Sequence, residues 1–402
     1  MKKIMIIGGG INQIPLITAA KKEGYYTVVC DYSENACGVK LADKYCKVST
    51  KNRDALYKVA YDNFVNGVIA NSEYAMIDVA YISKKLGIIG NSVNSIMCLS
   101  SKNEFRRLQS ENGLFAPKYG EYSDVKELCD NISNYNFPII IKPSESSGTR
   151  GTLVIYNDED ELLIEETFRN CKIISRNSKV TVEEYVEMPS ESVIEGEVFV
   201  HNGEFIWDGL FETVRSKSAP MIPMTYNFPL NLASDKKEKI RDTLKKAFNA
   251  AGITHGEYNI ELYFTKEDNP FIIEINGRQG GNFLPQYVKK HTGIDFNKLL
   301  VTTVMGDDYY WHEIKNITCL NNCITHHMLY PRVSGIFDKL IIDDKVKPYI
   351  ESIHLNVKNG ERIYNTKDAS SEIGYVDMSF SNIVEQGEIT RRIEELIYIK
   401  VR

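Results

Sequence analysis

Residues His255 to Asn282 read HGEYNIELYFTKEDNPFIIEINGRQGGN. Tyr258, Ile260, Leu262 and Phe264 alternate along the first half, a second apolar run spans Phe271 to Ile275, and the turn-forming Lys266-Glu267-Asp268-Asn269-Pro270 separates the two. That pattern predicts a hairpin of two strands. Residues two apart on a strand share a face, so Glu274 and Asn276 point the same way and the hairpin brings Glu261 beside them. Two carboxylates and one amide carbonyl then converge. An all-oxygen, highly charged set suits Mg²⁺ sharing its shell with phosphates and water, and suits Zn²⁺ poorly. Arg278, a fork fitted to phosphate or carboxylate, follows at once, and Arg278-Gln279-Gly280-Gly281-Asn282 forms a donor-rich loop able to approach an anion. Solvated acids on an open edge hairpin are the alternative, and the strongly apolar flanks weigh against it.

Working outward, 402 residues exceed one ordinary core, so two or three subdomains are expected. The hydrophobic fraction of 43% and charged fraction of 25% are those of a soluble globular chain. A net charge of −6 gives no general attraction to nucleic acid or to an anionic membrane surface. MKKIMIIGGG reads as a first strand running into a glycine turn, not as an export signal, and no apolar run approaches the roughly 20 residues of a membrane span. Eight scattered cysteines fit reduced thiols in the cytoplasm. Cys319 and Cys323, near His326 and His327, are the pair closest to a zinc pattern, and they lack a properly spaced second ligand pair.

Residues 2 to 7, the turn Gly8-Gly9-Gly10, a helix over 14 to 22 and a strand over 26 to 31 make a βαβ start, hence a parallel, doubly wound sheet. Further strands are expected at 67 to 70 and 87 to 90, with a helix over 74 to 86 between them, and the first domain runs to about residue 97. The glycine turn meets only part of a dinucleotide fingerprint, since Gln13 stands where the third glycine belongs, although Asp31 lies at ribose distance. Glu73, opening a helix after a buried strand, is where open α/β sheets bind ligands.

A charged helix near Ser101 leads to a strand over 137 to 142, then to Pro143-Ser144-Glu145-Ser146-Ser147-Gly148-Thr149-Arg150-Gly151-Thr152 and a strand over 153 to 156. A Ser/Gly loop between strands offers many donors to a polyphosphate, and Lys142 ends the strand before it. It is no Walker loop. Val180 to Val186 is an apolar run with two acids, of the kind whose backbone reads an adenine edge. Residues 191 to 201 and 204 to 209 form a second hairpin through Asn202-Gly203. Residues 215 to 230 carry three prolines and no period, predicting a loop over the site, with Arg215 and Lys217 as anion-holding candidates. A helix over 235 to 251 leads into the hairpin.

In this order, Lys102, Lys142, the Ser/Gly loop 144 to 151, the Glu183-Glu184-Tyr185-Val186 hinge, and Glu261 with Glu274, Asn276 and Arg278 resemble the ATP-grasp superfamily over essentially the whole chain. Within it the sequence resembles the stand-alone carboxylate-amine ligases that make dipeptides or amino-acid amides. The resemblance implies an N-terminal doubly wound α/β domain over 1–97, an ATP-grasp domain over 98–306 with a lid at about 118–184, and a small C-terminal α+β domain over 307–402. It implies ATP as nucleotide and two Mg²⁺ ions, replaceable by Mn²⁺, held by Glu261, Glu274 and Asn276. It places Lys142 and Lys102 on ATP, Ser147, Gly148, Thr149 and Gly151 in the lid loop, Glu183, Tyr185 and Val186 at the adenine hinge and Glu191 at the ribose. Arg278 stabilises the transferred phosphoryl group or the acyl phosphate, with Lys142 assisting. Glu73, Arg150, Arg215 and His255 are the substrate-side candidates. The sequence departs from the pattern where Glu187-Met188-Pro189-Ser190-Glu191 replaces the usual glycine after the hinge.

The expected partners are small carboxylates and amines, with no nucleic acid or membrane, in a cytoplasmic protein of the kind that is often a homodimer. Two alternatives stand beside this. One is a bicarbonate-activating carboxylase or carbamoyl-phosphate-type enzyme, and the other is an NAD(P)-dependent oxidoreductase using the first domain.

Overall fold

The run Lys3–Ile7 is apolar at four successive positions, and a strand buried on both faces is what such a run requires. The computed structural model describes residues 1–146, 150–157, 160–188, 192–216 and 221–402. In it Lys3–Ile7 pairs in parallel with Tyr26–Asp31 on one side and Gly67–Ala70 on the other, and Lys44–Lys47 lies outside Tyr26–Asp31. The helix Ile14–Lys22 starts on a proline in its first turn, a position that needs no N–H. The expected strand at 87–90 does not form. Gly87 adopts φ +66° and closes the helix Met76–Leu86 as its left-handed cap, leaving 88–92 as a connection.

A second sheet, antiparallel, has the order Tyr119–Tyr122, Val180–Glu184, Ile139–Pro143, Leu153–Ile155. Its apolar face packs on the helix Glu161–Ile174 through Phe168, Ile164 and Cys171.

The largest sheet is eight-stranded among the described residues, running Pro270–Asn276, His255–Phe264, Ser192–His201, Glu204–Arg215, Pro223–Phe228, Cys323–Met328, Gly374–Phe380, Ile350–Leu355. The predicted hairpin is therefore its edge, and segment 307–402 contributes three strands to this same sheet. That segment also builds a small sheet from Arg362–Ile363, Gly335–Ile342 and Ile397–Val401. Residues 215 to 230 are not wholly loop. Pro223–Phe228 pairs on both sides because its prolines fall at the first residue and just past the last, where no inner ladder donor is lost.

Strand periodicity sorts the central sheet's faces. Val198, Val200, Leu210, Ile260 and Leu262 are buried against the helices Ser234–Ala251 and Val93–Ser100. On the other face Phe199 and Phe211 pack with Phe296 at the head of the helix Phe296–Val304, with the Phe199 and Phe296 rings edge to face at 5.9 Å. That helix covers only part of its face. Where it stops the strands carry Glu195, Glu261 and Glu274, and the four-stranded sheet overhangs them, leaving a cleft between layers. No helix among the described residues is long and apolar enough to cross a membrane.

Candidate active site

Register places the acids. Glu261 stands opposite Glu274 on one neighbouring strand and opposite Glu195 on the other, so three carboxylates form a row across three strands. Two residues along, Asn259 faces Asn276 and Glu197 in a second row. Such directly opposed like charges destabilise a sheet unless compensated. The compensation here is Arg215, buried at the end of Glu204–Arg215, whose guanidinium binds Glu195 at 3.1 Å and Glu261 in a closer contact. One cation against three acids leaves the row short of positive charge. Burial raises the Glu195 carboxyl, with Glu261 adding to the rise and Arg215 opposing it. Burial likewise raises Glu261, against the pull of Arg215. At Glu274 burial is outweighed by Lys102, a 2.8 Å hydrogen bond from Asn276 Nδ2, Arg278 and Lys142, so its carboxyl is held below the ordinary range.

A second buried cluster lies under the overhanging sheet. Lys142 Nζ is 2.7 Å from Glu183, and Arg106 Nε reaches the same carboxylate at 3.0 Å. Arg106 also donates to the carbonyls of Ile272 and Ile273, tying the helix Lys102–Glu111 to the hairpin. Burial tends to raise Glu183, but the two cations win and draw it down to about 2. Lys142 is lowered to about 8 because desolvation outweighs the attraction of Glu183.

Both clusters border one cavity of about 510 Å³. Its cationic wall carries Lys102, Lys142, Arg150 and Arg278, and its acidic floor carries Glu261, Glu274 and Asn276. Tyr185, Val186, Ile140, Tyr263, Phe271 and Ile273 form an apolar end. The hinge there is fixed by Tyr185 N–H donating to Pro138 O at 2.8 Å and by Tyr263 Oη donating to Val186 O. Glu183 borders the cavity, yet its carboxylate is committed to Lys142 and Arg106 and so supports the hinge from within. Lys102 Nζ donates to Ser146 O at 3.1 Å, joining that helix to the Ser/Gly loop. Glu73 also lines the cavity, and its Oε2 is buried with no hydrogen-bond partner among the described residues. Burial, then Glu274, raises its carboxyl, while Arg278, Lys102 and Arg176 oppose the rise. Arg150 reaches Tyr74 Oη at 3.3 Å beside it.

The predicted residues do not all meet there. His255 stands six residues before Glu261, about 20 Å along the strand, and its ring bonds Thr254 and Asn202 at 2.9 Å beside His201, outside the cavity. Gly151, at φ +74°, packs against Ile174 and accepts from Cys171 Sγ. Ser147, Gly148, Thr149, Glu191 and Lys217 lie outside the described residues. Sequence reasoning missed Glu195 and Arg106. Alternation placed Glu195 on a strand, but nothing local tells that a strand 60 residues upstream flanks the hairpin.

The side chains on which dinucleotide or zinc binding would depend are engaged within the fold. Asp31 Oδ2 accepts from Gly9 N–H and its Oδ1 from Ser33 N–H, both at 2.8 Å, so this acid closes the glycine turn from within. His326 bonds Asp377 at 2.8 Å among Tyr226, Tyr287 and Tyr375, and His327 bonds Thr225 at 2.8 Å, so neither imidazole turns toward Cys319 or Cys323. Among the described residues no group of three or more His, Cys, Asp or Glu side chains is arranged to hold a metal by itself.

Residues 135–286 match the family described as ATP-grasp domain, a span holding the Ser/Gly loop, the hinge and the acidic hairpin. Those residues form an ATP-grasp domain. The fold around it agrees: the L-amino acid ligase from Bacillus licheniformis superposes with a TM-score of 0.80 at 18% identity, covering 100% of this chain and 99% of that one. Phosphoribosylglycinamide synthetase from Anaerococcus prevotii gives 0.71 at 20% identity over 100% of both chains. The carbamoyl phosphate synthase large chain of Thermotoga petrophila is 24% identical over 362 residues, 84% of this chain and 31% of that protein. The chain thus spans about a third of the length of such relatives.

The ATP-grasp site fits a divalent cation on its own chemistry. Every candidate donor is oxygen, the row has fewer cations than acids, and Asn276 spends its N–H on Glu274, leaving its carbonyl oxygen to face an ion. Two carboxylates and one amide leave most of a hard ion's shell to phosphate and water, which is how Mg²⁺ binds beside nucleotides.

Proposed function

We propose that the protein is an ATP-dependent, ADP-forming ligase that activates a carboxylate as an acyl phosphate and joins it to an amine. The observation carrying this reading is one cavity holding an apolar hinge, a cationic wall, an oxygen-only acidic floor and a Glu73 carboxyl oxygen without a hydrogen-bond partner among the described residues. The apolar end accepts an adenine beside Tyr185 and Val186. Lys142 and Lys102 face the phosphates.

Glu261, Glu274 and Asn276 would hold two Mg²⁺ ions, with Mn²⁺ as a substitute, and these supply charge neutralisation on the phosphates. A carboxylate oxygen of the first substrate attacks the γ-phosphorus, ADP leaves, and Arg278 meets the charge on the transferred group. The amine nitrogen then attacks the acyl carbon, phosphate leaves, and the surplus proton departs from nitrogen. Glu73 is placed to hold the amine as its ammonium form arrives, Arg150 and Arg215 line the same space, and Arg215 keeps Glu195 and Glu261 from repelling one another. His255 has no part in this assignment. Water must be kept from the acyl phosphate, a task for closure of the overhanging sheet. The partners that such a cavity serves are small carboxylates and amines.

The match to carbamoyl phosphate synthase favours one second reading, in which bicarbonate is the carboxylate activated. Hydroxylamine separates the two. The ligase reading expects hydroxamate from an organic acid with stoichiometric ADP, and ADP formation that requires bicarbonate whatever acid is supplied would replace it with the second.

A further inference from the structure

Behind Arg278, on the strands that carry the acidic row, two further glutamates are sealed from solvent and border no part of the ATP cavity: Glu197, 0% exposed, and Glu257, 3% exposed. Glu197 Oε1 accepts from Gly280 N–H at 2.7 Å and from Asn259 Nδ2 at 3.3 Å. Glu257 Oε2 accepts from Gln279 Nε2 at 2.7 Å. The remaining oxygens, Glu197 Oε2 and Glu257 Oε1, are buried and receive no donor among the described residues, and register makes the two acids diagonal neighbours on one face of adjacent strands, Glu197 standing opposite Asn259 and Glu257 opposite Phe199. Two carboxylates in that position would repel in a low dielectric, and each would keep an unsatisfied oxygen. A single proton between them removes both faults.

We propose that Glu257 and Glu197 share one proton, carried by Glu257 and donated to Glu197, and that this acid pair positions the Arg278–Gly280 backbone for the reaction. The proton belongs on Glu257 because Glu197 already receives two N–H groups whereas Glu257 receives one. Arg278 and Asp295 are the charged groups facing the pair, and Asn259, Asn297 and Gln279 are its neutral neighbours. Burial, the first cause at both residues, pushes both carboxyls up, Glu257 further.

The positioning follows from the contacts. Gly280 is held so near Glu197 that an added Cβ would lie 2.3 Å from Oε1, so only glycine lets the backbone make this bond. Gln279 in turn accepts from Asn71 Nδ2 at 3.2 Å, linking the first domain to the segment that carries Arg278. Glu197 and Glu257 act through that segment and are positioning residues, not catalytic ones.

The role in turnover rests on the ligase reading, whereas the shared proton does not. Infrared spectra of the full chain at neutral pH, wild type minus Glu257→Gln, are expected to show the C=O stretch of a protonated carboxylic acid. Carboxylate bands alone would overturn the proposal. In ADP release, Glu257→Gln is expected to stay within about threefold of wild type, because an amide still donates to Glu197 and accepts from Gln279. Glu197→Gln is expected to fall by about 10- to 100-fold through a displaced Arg278 segment. Equal losses in the two variants would refute the assigned direction of the hydrogen bond. Failure of Glu197→Gln to fold leaves the infrared arm decisive. No turnover of the wild type with any acid and amine would sink the ligase reading while the infrared result still decides the proton.

Discussion

Replacing Glu183 by Gln tests how the cluster under the hinge is built. Glu183 and Lys142 are 2% and 7% exposed, and Arg106 is 1% exposed. In the folded protein Glu183 is drawn from its ordinary 4.5 to about 2, overcoming burial by the attraction of Arg106 and Lys142. At about 1.4 kcal/mol per pH unit this corresponds to ~3 kcal/mol of stability. A depressed carboxyl stabilises above its unfolded pKa, so this contribution is present at pH 7 and is lost as pH falls from about 4.5 toward 2. Lys142 works the other way. Desolvation lowers it from 10.5 to about 8, which costs ~3 kcal/mol at neutral pH and is recovered as pH rises through that window.

The mutual attraction enters both shifts and counts only once, so the charged pair adds no net stability, while each charge depends on its partner. Glu183→Gln strands Lys142 and Arg106 without an anion and is expected to destabilise by about 3–5 kcal/mol in urea unfolding at pH 7 followed by circular dichroism. The double variant Glu183→Gln/Lys142→Met should recover part of that loss, and saturating ATP should narrow the gap for the single variant because phosphate supplies Lys142 with a new anion. A Glu183→Gln protein within about 1 kcal/mol of wild type would refute the reasoning.

Glu274→Gln removes one acid of the proposed cation site and is expected to cut ADP release by about 100-fold or more with circular dichroism unchanged. The Mg²⁺ concentration for half-maximal activity should rise as pH falls, by up to about tenfold per pH unit, since burial raises the Glu261 carboxyl and protons compete with the ion, and activity titrations at pH 6 and 8 measure this. With Lys142 at about 8, kcat/KM for ATP should decline above that pH as its ammonium is lost, and the decline should vanish in Lys142→Met against a lower baseline. Gly280→Ala, which drives a Cβ to 2.7 Å from Leu284 Cδ1 as well as onto Glu197, should lower ADP release by about tenfold or more, read by initial rates.

The hairpin was legible because both its determinants are local: alternation fixes which side chains share a face, and a five-residue turn with Pro270 fixes where the chain reverses. Those two facts put Glu261 near Glu274, but setting them directly opposite also takes a bulge between Glu261 and Leu262, which they do not encode. Arg215 was visible as a cation in a proline-rich stretch, but its pairing with Glu195 and Glu261 depends on the order of strands in the sheet, which local periodicity does not encode. The same holds for Arg106 and Glu183, 77 residues apart, and for Glu197 and Glu257, which come from two strands far apart in the chain. His255 was misplaced for the opposite reason. It belongs to the right strand and the right face, but the wrong end. The strand at 87–90 failed because Gly87 and Gly90 flank only two apolar residues, too few to outweigh a left-handed helix cap.

The most direct test is ADP and phosphate release from ATP with Mg²⁺ across a grid of amino acids, other carboxylic acids and amines, with bicarbonate as a separate arm. Turnover that requires one acid and one amine, with ADP, phosphate and amide formed in equal amounts, is the predicted result. ADP release that needs bicarbonate and no other acid, or release indifferent to every acid and amine offered, would contradict a carboxylate-amine ligase.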